Sequence, residues 1–220
     1  MRRSRQSETG WRGSREGWLA AAYDSLVESG VDAVRIMPLS KRLNLSRTSF
    51  YWFFRDRDAL LAALIDLWRA KNTGNLVKQA DSYAETICEA ILNVFDCWLD
   101  ATLFDSRLEF AVRSWAHQSP DVAGEIALAD ATRLKALADM FVRFGFDELA
   151  ADVRSRAIYL TQIGYISMKT EEKVALRMRR IPEYIGAFAG APPSASEVER
   201  FFARHGFKAR RPAIARAQAS

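Results

Sequence analysis

The side chains best equipped for chemistry stand in one run, Ser46-Arg47-Thr48-Ser49-Phe50-Tyr51-Trp52-Phe53-Phe54-Arg55-Asp56-Arg57-Asp58. Arg47, Thr48 and Ser49 offer a guanidinium fork and two hydroxyls over three residues. Such groups bond phosphate oxygens and base edges. The five rings that follow cannot all enter one core. On a helix Phe50 and Phe54 lie four apart and share a face, which the pattern assigns to a small core with Leu26, Leu39, Leu43 and Leu60. Tyr51 and Trp52 then project to the other side, each with one polar hydrogen that a phosphate oxygen accepts. Phe53 is expected against the first or the fourth helix; spacing does not choose between them.

Other reaction chemistry is sparse. The chain has two histidines, His117 and His205, and neither has Glu three residues before it. The Glu-x-x-His pairs with which helical bundles hold metals are therefore missing. No Gly-rich phosphate loop, Ser/His/Asp set or zinc spacing occurs. Cys88 and Cys97 fall on one helical segment, about 13 Å apart along its axis, too far to bridge. They read as small buried hydrophobes. The expectation is no enzyme, no cofactor and no metal.

The elements that must position the run are helical. Apolar residues recur at i, i+3 and i+4, and no stretch alternates as a strand does. Ser14 caps a first helix over about 15–29, ended by Gly30 in a left-handed conformation. A short helix spans about 36–43, with Pro38 in its first turn and Asn44 turning the chain. Ser46 caps a third helix, 47–53, and Asp56 a fourth, 57–78. Longer helices follow at about 83–103, 106–117 (Ser106 and Glu109 as capping box), 120–144 and 147–169. Pro182 starts or kinks another, stopped by Gly190, and Ser194 with Glu197 opens the last, to about 204. The fold class is all-α: an N-terminal three-helix unit with a helix-turn-helix at about 35–54, joined by a long helix to a larger helical bundle.

Charge is uneven. Of the 220 residues, 1–58 hold eleven Lys/Arg against seven Asp/Glu, and 197–220 hold six against two; with +5 overall, the middle is acidic. A basic end beside the Arg47 run points to a polyanion. The start, MRRSRQSETGWRGSRE, lacks the apolar core of a secretory signal, and no apolar run reaches membrane-span length. A cytoplasmic location and no membrane partner are expected.

With these residues in view, 12–72 resembles the N-terminal DNA-binding domain of the TetR family of transcriptional repressors. The likeness rests on the helix ending at Gly30, the helix-turn-helix, the run from Ser46 to Phe54, and Arg57-Asp58-Ala59-Leu60-Leu61. The family pattern is roughly Val-Ser-x-Gly/Ala/Thr-x-Leu/Ile/Phe-Tyr-x-x-Phe, then x-x-Lys-x-x-Leu. Here Arg57 stands for the usual Lys, Asn44 for Gly, Ser40 for Ala, and Arg35 for a Thr that caps the second helix. The resemblance implies phosphate contacts from Tyr51 and Arg57, with Arg35 and the Arg-rich N-terminal arm alongside. Arg47, Thr48, Ser49 and Trp52 would face the bases, with Lys41 and Ser46 completing the DNA-binding set.

It also implies a ligand-binding and dimerising region at 73–205, followed by a flexible basic tail at 206–220. Dimerisation has its own physical ground, because one short recognition helix reads too few base pairs. Helices 147–169 and 194–204 are the candidate interface, through Val153, Ile158, Ile163, Ile166, Phe201 and Phe202. Phe95, Trp98, Phe110, Trp115, Phe141, Tyr159 and Tyr165 could line a pocket with His117 and Gln162 as polar anchors, which suggests a small, mostly apolar, uncharged ligand. The function expected is a ligand-responsive repressor, a homodimer on a palindromic operator. The alternatives are a sequence-nonspecific DNA-packaging protein and a helical-bundle enzyme.

Overall fold

The computed structural model describes residues 13–207; the basic arm and nearly all of the basic tail lie outside them. Among the described residues every regular element is helical. α1 (Arg15–Ser29) begins where Ser14 Oγ accepts from the Gly17 N–H at 3.0 Å. Gly30 ends it with φ 82° and ψ 176°. The positive φ was anticipated; the extended ψ was not, and that combination is essentially open to glycine alone. After one 3-10 turn, α2 (Ile36–Leu43) stops at Asn44, which is left-handed at φ 53° and ψ 42°.

α3 (Arg47–Phe50) is shorter than the 47–53 expected. Its cap is Ser46, and the chain continues past Phe50 in a turn held by Phe53 N–H and Phe54 N–H donating to the Phe50 carbonyl at 3.0 and 3.1 Å. α4 (Arg57–Trp68) starts at Asp56, whose Oδ1 accepts from Ala59 N–H at 2.8 Å. It runs on through a π-helical turn (Arg69–Thr73) into α5 (Gly74–Asp81). The reason lies in the apolar spacing. Trp68, Asn72, Leu76 and Ala80 are all buried and each is four residues from the next, a spacing that drifts about 40° per step on an ideal α-helix. The wider π turn absorbs part of that drift.

Three later boundaries differ from expectation. α6 (Ile87–Leu99) does not start at Tyr83, which is exposed; Thr86 Oγ1 caps it, accepting from Glu89 N–H at 3.1 Å. α7 (Ser106–Ala116) is capped by Asp105, not by a Ser106–Glu109 box, because Glu109 is drawn into the interior. α8 (Pro120–Arg143) and α9 (Glu148–Ser167) follow the reading closely. α10 (Val174–Ala189) begins well before Pro182, which sits inside it. Proline removes one hydrogen bond there, but Met178, Ile181, Ile185 and Phe188 bury a common face that holds the turns together. α11 (Ala195–Arg204) carries the expected Ser194–Glu197 capping box.

Two hydrophobic clusters organise these helices. One joins Trp18, Leu26, Leu39, Phe50, Phe54 and Leu60 to Trp68 and extends onto Leu108, Val112 and Trp115 of α7. The other is built from α5, α6 and α8–α11. Phe201 and Phe202 belong to that second core, so α11 is not the free interface helix expected; its rings are spent inside the chain. Both cysteines are buried and free. Among the described residues, no helix is long and apolar enough to cross a membrane, and no group of three or more His, Cys, Asp or Glu is placed to hold a metal ion.

Candidate nucleic-acid interface and ligand cleft

α3 is fixed from beneath by its rings. Phe50 meets Trp18 edge-on at 5.2 Å between centroids and stacks on Phe54 at 5.5 Å. All three are buried. At about 1.5–3 kcal/mol per large apolar side chain, this packing outweighs single caps of about 1 kcal/mol in setting the position of so short a helix. Phe53 is half-buried against the same cluster.

What α3 presents outward is Ser46, Arg47 and Thr48, all exposed, then Tyr51 and Trp52 at 47% and 64% exposure. Arg47 Nη2 donates to the Tyr51 hydroxyl at 3.1 Å, so cation and phenol form one ridge. Arg35 and Lys41 are exposed on the neighbouring helix, and Arg35 makes no side-chain cap bond. Two expected residues are placed otherwise. Ser49 is only 4% exposed and its hydroxyl donates to the Ser46 carbonyl at 2.8 Å, so a base contact from it is corrected: the turn at the helix start consumes the hydroxyl. Arg57 is half-buried; its Nε and Nη2 donate to the carbonyls of Val34 and Val31 at 2.6 and 2.9 Å. It closes the turn behind α1. The turn after the end of α1 at Gly30 leaves carbonyls that need donors, and that was the available signal.

The second candidate region is a cleft of about 350 Å³ between α1, α7, α9 and the segment leading into α10. Phe110, Gln162 and Tyr165 line this cleft, with Val27, Arg107, Ile166, Lys169 and Arg177. Beneath lies a hollow of about 20 Å³, lined by Phe95, Trp98 and Tyr184 and sharing Gln162, Tyr165 and Arg177. The other expected lining residues go elsewhere. Trp115 borders an adjoining groove beside Leu26 and Val31, which shares Val27, Phe110 and Lys169 with the cleft. Phe141 is fully buried and packs edge-on against Phe146. His117 is exposed beyond the last turn of α7 and lines neither the cleft nor the hollow. Tyr159 is buried, but its hydroxyl serves an ionic network.

Nor is the cleft poor in charge. Lys169 Nζ sits 4.2 Å from the Phe110 ring centroid. Arg177 lies 5.8 Å from the Tyr165 ring and reaches Gln162 Oε1 at only 3.5 Å. Burial pulls the Arg177 pKa down, against the pull of Glu172. Arg177 went unread because Pro182 was expected to start or kink that helix, which in fact begins at Val174; Lys169 was read only as the end of the preceding helix.

Between cleft and long helix runs a buried ionic network that the sequence did not announce. Glu109 accepts from Arg133, Arg113, Trp68 Nε1 and Asn72 Nδ2. Burial works against its charge, but Arg133 and Arg113 outweigh it and hold the carboxyl below its ordinary 4.5. Arg133 also donates to Thr73 and Tyr159, and Tyr159 donates to Asp130. Asn72 and Thr73 lie in the π-helical turn.

Residues 19–64 match the family model described as bacterial regulatory proteins, tetR family. The tetracycline repressor protein class A from transposon 1721 of Escherichia coli is 40% identical over 63 residues, 29% of this chain and 29% of that protein. The chain thus matches under a third of that relative's length. Among solved structures, a putative TetR-family transcriptional regulator from Mesorhizobium loti MAFF303099 superposes with a TM-score of 0.55 at 13% identity, covering 90% of this chain and 98% of its own. A transcriptional regulator from Rhodococcus sp. Rha1 gives 0.54 at 19%, covering 87% and 97%. These two share the all-helical fold; the N-terminal match carries the family likeness.

Proposed function

We propose that this chain is a DNA-binding transcription regulator of the TetR type, a homodimeric repressor whose grip on a palindromic operator responds to a small ligand. The observation that carries the reading is the outward ridge of Arg47 and Thr48 on α3 and of Tyr51 and Trp52 in the turn after it, with Phe50 locking the inner side. Exposed cationic, hydroxyl and ring groups on a short protruding helix suit the major groove and its flanking phosphates. Arg35, Lys41 and Ser46 would extend the phosphate contacts, and Tyr51 would serve as a phosphate donor. Arg57 acts one step back, bracing the turn before α2.

Dimerisation is supported by α9 and α10. Leu149, Val153 and Leu160 are more than half exposed on α9, beside a groove that reaches Ala187 and Phe188 of α10. An apolar strip of that kind suits a second copy. The ligand response would pass through the Glu109–Arg133 network to the π-helical turn and so to the spacing of the two α3 helices. A ligand changes that spacing only if it binds one geometry more tightly.

The test is footprinting of the purified full chain on the DNA flanking its own gene. One short two-fold protected site supports the regulator. Uniform protection supports the packaging reading instead, and silence toward every duplex at low salt removes both.

A further inference from the structure

We propose that the cleft between α1, α7 and α9 receives a small planar aromatic carboxylate, its anionic end held by Arg177 and Lys169 and its ring set between Phe110 and Tyr165. The inference deepens the regulatory reading and rests on it for its consequence, though the binding itself does not need DNA.

Charge is the first ground. Among the described residues, no carboxylate lies within ion-pairing distance of Arg107, Lys169 or Arg177, three cations that line the cleft from α7, the end of α9 and α10. The acid that acts most on Arg177 is Glu172, whose Oε1 pairs with Arg180 while its buried Oε2 has no hydrogen-bond partner and makes no ion pair with Arg177. Arg177 is left with a long contact to a neutral amide. A half-buried guanidinium in that state is short of acceptors, and a carboxylate fits its fork in two parallel bonds. Shape is the second ground. Phe110 and Tyr165 supply ring surfaces on two different helices, and about 350 Å³ is at the small end of ligand pockets.

The consequence follows from Val27. It is an α1 residue on the cleft wall, and α1 carries Trp18, the ring on which Phe50 of α3 rests. A ligand seated there touches the DNA-facing unit directly as well as the bundle.

The experiment is calorimetric titration of the full chain, without DNA, with 2-naphthoate, 2-naphthamide, cyclohexanecarboxylate and 1-naphthyl phosphate. Naphthoate should bind, and naphthamide and cyclohexanecarboxylate should each bind at least tenfold more weakly. Lys169→Gln and Arg177→Gln should each weaken naphthoate at least fivefold, with Arg177→Lys between them and the parent. Lys169 is exposed, so its variant keeps the test sound if Arg177→Gln folds poorly. The proposal is overturned if naphthoate gives no binding, if the amide matches the acid, or if Lys169→Gln changes nothing. Tighter binding of the phosphate overturns the choice of carboxylate, and equal binding of the saturated acid overturns the ring contacts. Gel shifts on the same preparation keep the two readings apart: intact DNA binding with failed titration removes the ligand class alone, and the reverse removes the regulator alone.

Discussion

Arg133 Nη1 and Glu109 Oε1 meet at 2.8 Å, with neither side chain exposed to solvent. Pairs of this kind add little net stability over apolar packing, but removing one partner strands the other charge. Glu109 is also the acceptor for Trp68 and Asn72 of the long helix, so the pair fixes where that helix meets the bundle.

Glu109→Gln should therefore destabilise the fold by about 3–5 kcal/mol, read from urea unfolding. The pH dependence has a definite sign. The folded carboxyl lies below its ordinary 4.5, so its contribution is complete above that value and is lost as pH falls through the folded pKa. The parent should lose stability over this acid window, and the variant should show a shallower loss. Parallel acid limbs would contradict the role.

Arg47→Ala should weaken operator binding by about 1–3 kcal/mol if the fork contacts a base. Ser49→Ala should leave affinity within about twofold, about 0.4 kcal/mol, since its hydroxyl is committed to the Ser46 carbonyl. Gel shifts of both variants check this; equal losses would restore Ser49 to the interface.

Tyr51→Phe should lower affinity for operator and random duplex alike, because a phosphate contact carries no sequence. A loss confined to the operator would assign the phenol to base reading.

Arg57→Lys keeps the charge but loses the fork that spans the carbonyls of Val31 and Val34. We expect a fall in stability of about 1–3 kcal/mol for the unsatisfied groups, seen as a lower urea midpoint. Unchanged stability with weaker DNA binding would instead mean that the phosphate role dominates.

Tyr23 of α1 donates to Asp105 Oδ2 at 2.7 Å, and burial together with that carboxylate pushes its pKa up to about 12. The contribution is full below the ordinary 10.0 and lost as pH rises through the folded value. The phenols of Tyr159 and Tyr184 are also raised, so absorbance titration of Tyr23→Phe should lose one late-ionising phenol relative to the parent and keep the others. An unchanged late amplitude would contradict the assignment to Tyr23.

What was legible in the sequence was local. Ser14, Ser46 and Asp56 announce their helices because a cap bonds a backbone N–H three residues on, and Asn44 announces the turn through its own backbone preference. The inward Phe50 and Phe54 and the outward Tyr51 and Trp52 were read from helical angle, and the turn after Phe50 keeps that sorting because Phe54 N–H still donates to the Phe50 carbonyl. Glu109 was misread because a local use, the capping box, looked sufficient. Its actual partners lie as far away as Asn72 and Arg133, and no spacing rule encodes them. The cleft cations were missed for a related reason, since Arg177 gains meaning only where α10 crosses α9. The ligand reading inherited that gap.

The π turn at Arg69–Thr73 has a mechanical consequence. A surplus residue lodged in a helix can migrate, passing from one turn to the next as backbone hydrogen bonds trade partners. Each hop screws the segment ahead of it relative to the segment behind, like a nut advancing on a thread, and no loop has to unfold. The stretch bearing Trp68 would then rotate against the stretch bearing Leu76 while the rod stays whole. In this molecule the two stretches are joined as one continuous piece of backbone.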